Sequence, residues 1–127
     1  MCIAVKDIEE TLKFYGELFG LEVSGNIENI EDQSVKAALV RVGGSQLEFI
    51  QPTDPDGPIA KFIKDRGEAV HHLCFEVKNI IIARDHLISN GARVLGDGIP
   101  KLGAHDKPVL FLHPKDFSGT LIELEEL

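Results

Sequence analysis

Two octapeptides constrain this chain more than anything else in it. Residues 1–8 read MCIAVKDI and residues 73–80 read LCFEVKNI. Cys2, Val5, Lys6 and Ile8 recur as Cys74, Val77, Lys78 and Ile80, each seventy-two residues on. A repeat of this kind points to one supersecondary unit used twice, so each half must read as the same series of elements.

The halves do read alike. Asp7 is a helix N-cap with Glu10 as its capping-box partner. Ile8, Leu12, Tyr15 and Leu18 or Phe19 follow at helical spacing, and Gly20 suits the residue that ends the helix. Residues 21–24 read as a short strand. Residues 35–42 and 46–51 read as two more, joined by the turn signal Gly43-Gly44. In the second half, 70–77 is a strand and Asn79 caps a helix that runs to about Asn90 and stops at Gly91. Residues 93–95, 108–112 and 120–125 are its remaining strands. Between the halves, TDPDGPIAKFIKDRG carries Pro58 after Asp56 and Gly57, a sound helix start. The fold class is therefore α+β: two tandem β-α-β-β-β modules, about 1–52 and 70–127, with a linker helix at about 53–69, all in one domain spanning 1–127.

A formal net charge of −8 excludes a bare phosphate backbone as partner, because that binding rests on Lys and Arg neutralising phosphates. No apolar run approaches the ~18 residues of a membrane span. No signal peptide is visible, which points to the cytoplasm, or to an organelle matrix after processing. Two Cys make no disulfide framework, and both sit in apolar runs. They read as reduced, core-packed thiols.

Strand side chains alternate faces. On the 70–77 strand, Leu73, Phe75 and Val77 share a face that must pack on helices, while His72, Cys74 and Glu76 share the other. His71 points away from His72. Glu48 stands between Leu47 and Phe49, and Glu123 between Ile122 and Leu124. A carboxylate amid strong strand formers is costly to bury unless it is paired, protonated or bound to a metal. Glu48 and Glu123 are also repeat equivalents, seventy-five residues apart. A pseudo-twofold relation between the modules would gather Glu48, His72 and Glu123 around a sheet curved about something polar. Imidazole with carboxylates suits Mn, Co, Ni or Zn with open water positions.

The segments GPIAKFI, VHHLCFEV, KLGAHDKPVLFLHPKDF and GTLIELE resemble the methylmalonyl-CoA epimerases of the vicinal-oxygen-chelate superfamily, to which glyoxalase I and the extradiol dioxygenases also belong. The resemblance covers essentially the whole chain. It implies a cupped, partly closed mixed β-sheet with helices outside, an acyl-CoA substrate, a divalent metal ion and a homodimer. It assigns Glu48, His72 and Glu123 as metal ligands and sets a further His ligand at the position before Met1. The implied reaction is epimerisation at C2 by 1,1-proton transfer through a metal-stabilised enolate. Glu123 is one acid/base, and Asp32, three residues ahead of Val35, is the second, with Glu31 beside it. Lys101, His105 and Lys107 form a cationic patch for the substrate. His113 is read as a turn-former and His86 as a surface residue. Two other readings stand beside this one: a glyoxalase I-type lactoylglutathione lyase, and a non-catalytic ligand-binding member of the superfamily.

Overall fold

The computed structural model describes residues 1–127. They divide into two compact units, Met1–His71 and His72–Leu127. The first unit runs β1 (Cys2–Ala4), α1 (Ile8–Phe19), β2 (Glu28–Ile30), β3 (Val35–Val42), β4 (Ser45–Pro52) and α2 (Pro58–Arg66). Its strands lie in the order β2-β3-β4-β1, with β1 parallel to β4 and the other pairs antiparallel. Strand β5 (Ala69–Val77) leads into the second unit, which continues with α3 (Ile80–Ser89), β6 (Lys101–Leu102), β7 (Pro108–Leu112) and β8 (Ile122–Glu126). Here the order is β5-β8-β7-β6, with β5 parallel to β8 and the rest antiparallel. The α+β connectivity expected from the repeat is present in both units. No helix is long and apolar enough to cross a membrane.

Local chemistry repeats with the topology. Asp7 Oδ1 accepts from the Glu10 N–H at 3.0 Å, and Asn79 Oδ1 from the Ile82 N–H at 2.9 Å. Each cap satisfies a donor that the first helical turn leaves open. A second tether runs from the last strand of each unit. The Ile8 N–H donates to Gln51 Oε1 and the Ile80 N–H to Glu126 Oε2, both at 2.9 Å. Gly20 ends α1 in the left-handed region, at φ 64°.

The short strands expected at 21–24 and 93–95 are each reduced to one bridge, Val23 with Val40 and Val94 with Leu112. Glycines explain both losses. Gly25 turns the chain at φ 105° directly after the first, and Gly96 and Gly98 do so at φ 73° after the second. The second strand of each module forms further along instead, as β2 and β6. Apolar residues of these segments still pack inward, Leu21 and Val23 against α1 and its sheet face, Val94 beneath α3, while Leu95 is exposed.

Three apolar clusters form the cores, two in the first unit and one in the second. In the first unit, Val5, Ile8, Ala38, Val40 and Phe49 bury against α1. Phe49 is fully buried, with Tyr15 edge-on at 4.9 Å, and its burial is worth about 1.5–3 kcal/mol. The opposite sheet face gathers Cys2, Ala4, Val35, Ala37 and Ile50 under Ile63 of α2. In the second unit Ile80, Leu110, Leu112, Ile122 and Leu124 form the core, with Leu73 and Val77 at its margin. Phe75 corrects the sequence reading: it shares the face of Leu73 and Val77 yet is 54% exposed. Helix α3 lies against β7 and β8, so its cover does not extend over the middle of β5.

Candidate functional site

The site in the second unit follows from strand register. Cys74 of β5 pairs with Glu123 of β8, which pairs with Phe111 of β7. Register partners share a face, so these three side chains stand together, opposite the Leu73–Ile122–Leu112 row that packs under α3. His72 closes on the same group. Its Nε2 lies 2.8 Å from Glu123 Oε2, with the two side chains only 10% and 15% exposed. The Phe111 ring meets the His72 ring edge-on at 5.7 Å.

Cys74 departs from the core-packed thiol the sequence suggests. It is half-buried, and its thiol donates a hydrogen bond to Glu123. Burial, followed by the charges of Glu123 and Glu125, pushes this thiol up to about 12. It is therefore a proton-bearing neighbour of the carboxylate across the neutral range, and a poor nucleophile. Cys2 is buried in an apolar cluster, and both thiols are free of disulfides.

Glu125, two residues beyond Glu123, was not singled out by sequence reasoning. It is only 6% exposed. His105 Nδ1 lies 2.9 Å from its Oε2, and Lys107 Nζ lies 4.0 Å from its Oε1. The signal was available: in I-E-L-E-E, period two puts Glu125 on the Glu123 face. The expected cationic patch is divided as a result. His105 and Lys107 turn to Glu125, while Lys101 is solvent-exposed on β6, 3.8 Å from Asp97. The loop that carries His105 is a tight hairpin. The Gly103 N–H donates to the Lys107 carbonyl at 2.9 Å, and Asp106 sits at φ 56°. A Cβ on Gly103 would come within 2.7 Å of Val109 Cγ1, so glycine is required for the loop to lie this close to β7.

In the first unit Glu48 is the register partner of Cys2, the relation that Glu123 bears to Cys74. Glu48 is half-buried. Asp32 is exposed in a short 3-10 turn, Glu31–Gln33, just before β3. His71 packs edge-on against Phe62 at 4.8 Å, His86 is exposed on α3, and His113 accepts the Lys115 N–H at 3.1 Å to start the 3-10 turn Pro114–Asp116. A groove of about 660 Å³ runs along α1 beside Lys6, Glu10, Phe14, Tyr15 and Val70. It is also lined by Ile3 and Phe49, so it opens on the sheet face opposite Glu48.

His72 and Glu123 offer a nitrogen and an oxygen donor to a divalent ion. Two ligands held at about 2.1 Å and at right angles lie ~3 Å apart, close to the His72–Glu123 separation. Nitrogen and carboxylate oxygen suit the borderline divalent metals. The residues present fit such an ion.

Residues 1–111 match the family model described as the Glyoxalase/Bleomycin resistance protein/Dioxygenase superfamily. The chain is 44% identical to the ethylmalonyl-CoA/methylmalonyl-CoA epimerase of Cereibacter sphaeroides, over all of this chain and 95% of that one. The crystal structure of methylmalonyl-CoA epimerase from Mycobacterium tuberculosis superposes with a TM-score of 0.86 at 32% identity, covering 98% of this chain and 83% of that one. A methylmalonyl-CoA epimerase solved in complex with methylmalonyl-CoA and NH4+ gives 0.87 at 32% identity, covering 98% and 90%.

Proposed function

Because the chain belongs to the methylmalonyl-CoA epimerase family, within the Glyoxalase/Bleomycin resistance protein/Dioxygenase superfamily, and is an isomerase of the epimerase class, we propose that it inverts C2 of methylmalonyl-CoA by 1,1-proton transfer. The observation that carries this reading is the largely buried His72–Glu123 contact with the Cys74 thiol beside it.

Glu123 takes the C2 proton on one face of the substrate and returns it there in the reverse direction. Its surroundings suit proton transfer, because the carboxylate is shielded from bulk water, oriented by His72 and bonded by a thiol that stays protonated. Asp32, exposed before β3, is the acid/base for the other face. Glu48, His72 and Glu123 are the ligands of a divalent ion, cobalt, manganese, nickel or zinc. When bound, that ion supplies a Lewis acid for the negative charge that develops on the substrate oxygens. His105 and Lys107, with Lys101 further along the hairpin, meet the anionic groups of the acyl-CoA. The exposed Phe14, Leu18 and Phe19 of α1 support a homodimer, which sedimentation would detect.

The test starts from one pure epimer of methylmalonyl-CoA with each metal in turn and follows the appearance of the other epimer. Ethylmalonyl-CoA belongs in the same assay, since the Cereibacter relative is named for both. The hemithioacetal of methylglyoxal and glutathione is the counter-substrate. Epimerisation without lyase activity supports the reading. Lyase activity alone would replace it with the glyoxalase reading, and metal binding without either activity with the ligand-binding one.

A further inference from the structure

Glu125 has the burial of a core residue and two cationic neighbours from a single hairpin. A carboxylate this enclosed is tolerated only if its oxygens are engaged. Oε2 meets His105 Nδ1 at 2.9 Å and Oε1 faces Lys107 Nζ at 4.0 Å, so each oxygen has one basic partner. The two partners flank Asp106 in a loop whose geometry is already narrow, with Gly103 pressed on Val109 and the chain reversed by the Gly103–Lys107 bond. The loop spans from edge strand β6, only two residues long, to β7. Backbone bonds within the hairpin set its turn, and the side-chain link to β8 fixes where its cations stand.

The anchor also relates the loop to the chemistry. Glu125 and Glu123 are alternate residues of β8 and share a face, which separates their backbones by ~6.7 Å. In a malonyl group the carboxylate carbon is bonded directly to C2, so a receptor for that carboxylate has to stand close beside the proton-transfer group, whereas the phosphates of CoA lie far from it. In the neutral ring, Nδ1 on the carboxylate is the donor and Nε2 the acceptor; in the imidazolium both donate. Either way, Glu125 sets the ring's orientation.

We propose that Glu125 is a positioning residue of the epimerase, holding His105 and Lys107 so that the 103–107 hairpin is a preformed receptor for the acyl carboxylate of the substrate. This role rests on the proposed epimerase function. Preorganised cations bind an anion without first ordering a flexible loop, which is where the gain arises.

The experiment compares wild type, Glu125→Gln, Glu125→Ala and the pair His105→Ala/Lys107→Ala, each with and without Glu125→Ala. Calorimetry reads the binding of malonyl-CoA and acetyl-CoA, which differ by the carboxylate alone, and thermal melting follows the fold. Glu125→Ala should weaken malonyl-CoA about tenfold and leave acetyl-CoA within about twofold. Gln keeps an acceptor for His105 and should recover part of the loss. In the His105→Ala/Lys107→Ala background, Glu125→Ala should add nothing. Equal weakening of both thioesters, an undiminished effect in that background, or unchanged affinity would each overturn the role of Glu125. If wild type epimerises methylmalonyl-CoA while any of those results holds, the error lies with Glu125 alone. A wild type that neither epimerises nor binds malonyl-CoA would remove the proposed function, and this role with it.

Discussion

The two units carry equivalent strands in the same order, the same helix caps and the same tether from the last strand to the first helical N–H. Their sheets differ on one face. Glu48 and Cys2 there border an apolar cluster, part of which α2 closes with Ile63. Around Cys74 and Glu123 the same register positions stand among His72, Glu125, His105 and Lys107. Cys2 and Cys74 are repeat equivalents and each faces a glutamate in register, yet Cys2 is fully buried within an apolar cluster while Cys74 is half-buried with its thiol on Glu123. A duplicated framework can thus keep its backbone chemistry and put its divergence on the side chains of a single sheet face.

Substitutions at equivalent positions are the way to break that comparison. The largest effect belongs to the polar face. Glu123→Gln should lower the epimerisation rate by roughly 10²–10⁴ with little change in melting temperature, because it removes a proton-transfer group and keeps the shape. The apolar cluster beside Cys2 answers in stability. Ile50→Ala empties a buried site on that face and should cost ~2–5 kcal/mol in urea unfolding, and an equal loss of activity at saturating metal and substrate in the still-folded fraction would contradict the division.

The caps and tethers should behave as a matched set. Asp7→Ala and Asn79→Ala should each cost about 1 kcal/mol, and a large inequality between them would show that the units are less alike than their backbones. Glu126→Gln makes the second tether chemically the same as the Gln51 tether. It should cost only ~0.3–1 kcal/mol, from the lost negative charge at the N-terminus of α3.

The thiols sharpen the contrast without touching the fold. At pH 9 native Cys74 should alkylate more slowly than an ordinary thiol, since its titration is pushed up to about 12. Glu123→Gln, which removes a charge and a strong acceptor, should speed it. The smallest effect is a surface one found in the second unit alone. Asp116 is held down to about 2 by its bonds to the Arg93 side chain and N–H. Its folded value is below the ordinary ~3.9, so the contribution is present above about pH 4 and fades as pH falls through about 2. Wild type should melt slightly above Arg93→Ala at neutral pH, and the difference should shrink as pH falls from about 4 and vanish only below about 2.

Much of this was legible in the sequence, and the failures have a common cause. The repeat, the caps Asp7 and Asn79, the stop at Gly20 and the long strands are local signals, and they settled the connectivity. Alternation along 70–77 separated His71, which packs on Phe62, from His72, which meets Glu123. The segments 21–24 and 93–95 were overread because most of their apolar residues do face inward, but the glycines that follow release the backbone from the ladder. Phe75 was overread because alternation names a face and not the helix that covers it. Glu125 was missed because a carboxylate near the end of a chain reads as solvated. Its burial depends on a hairpin twenty residues away, and no window of sequence joins the two.

The most direct measurement is hydrogen exchange at C2. Methylmalonyl-CoA incubated with the wild-type chain and a divalent ion in deuterated water should take up solvent deuterium at C2 in both epimers, and Glu123→Gln should all but abolish uptake from the epimer whose C2 proton faces Glu123. Absence of exchange with every divalent metal tried, or exchange that persists undiminished in Glu123→Gln, would contradict the assignment of proton transfer to this strand face.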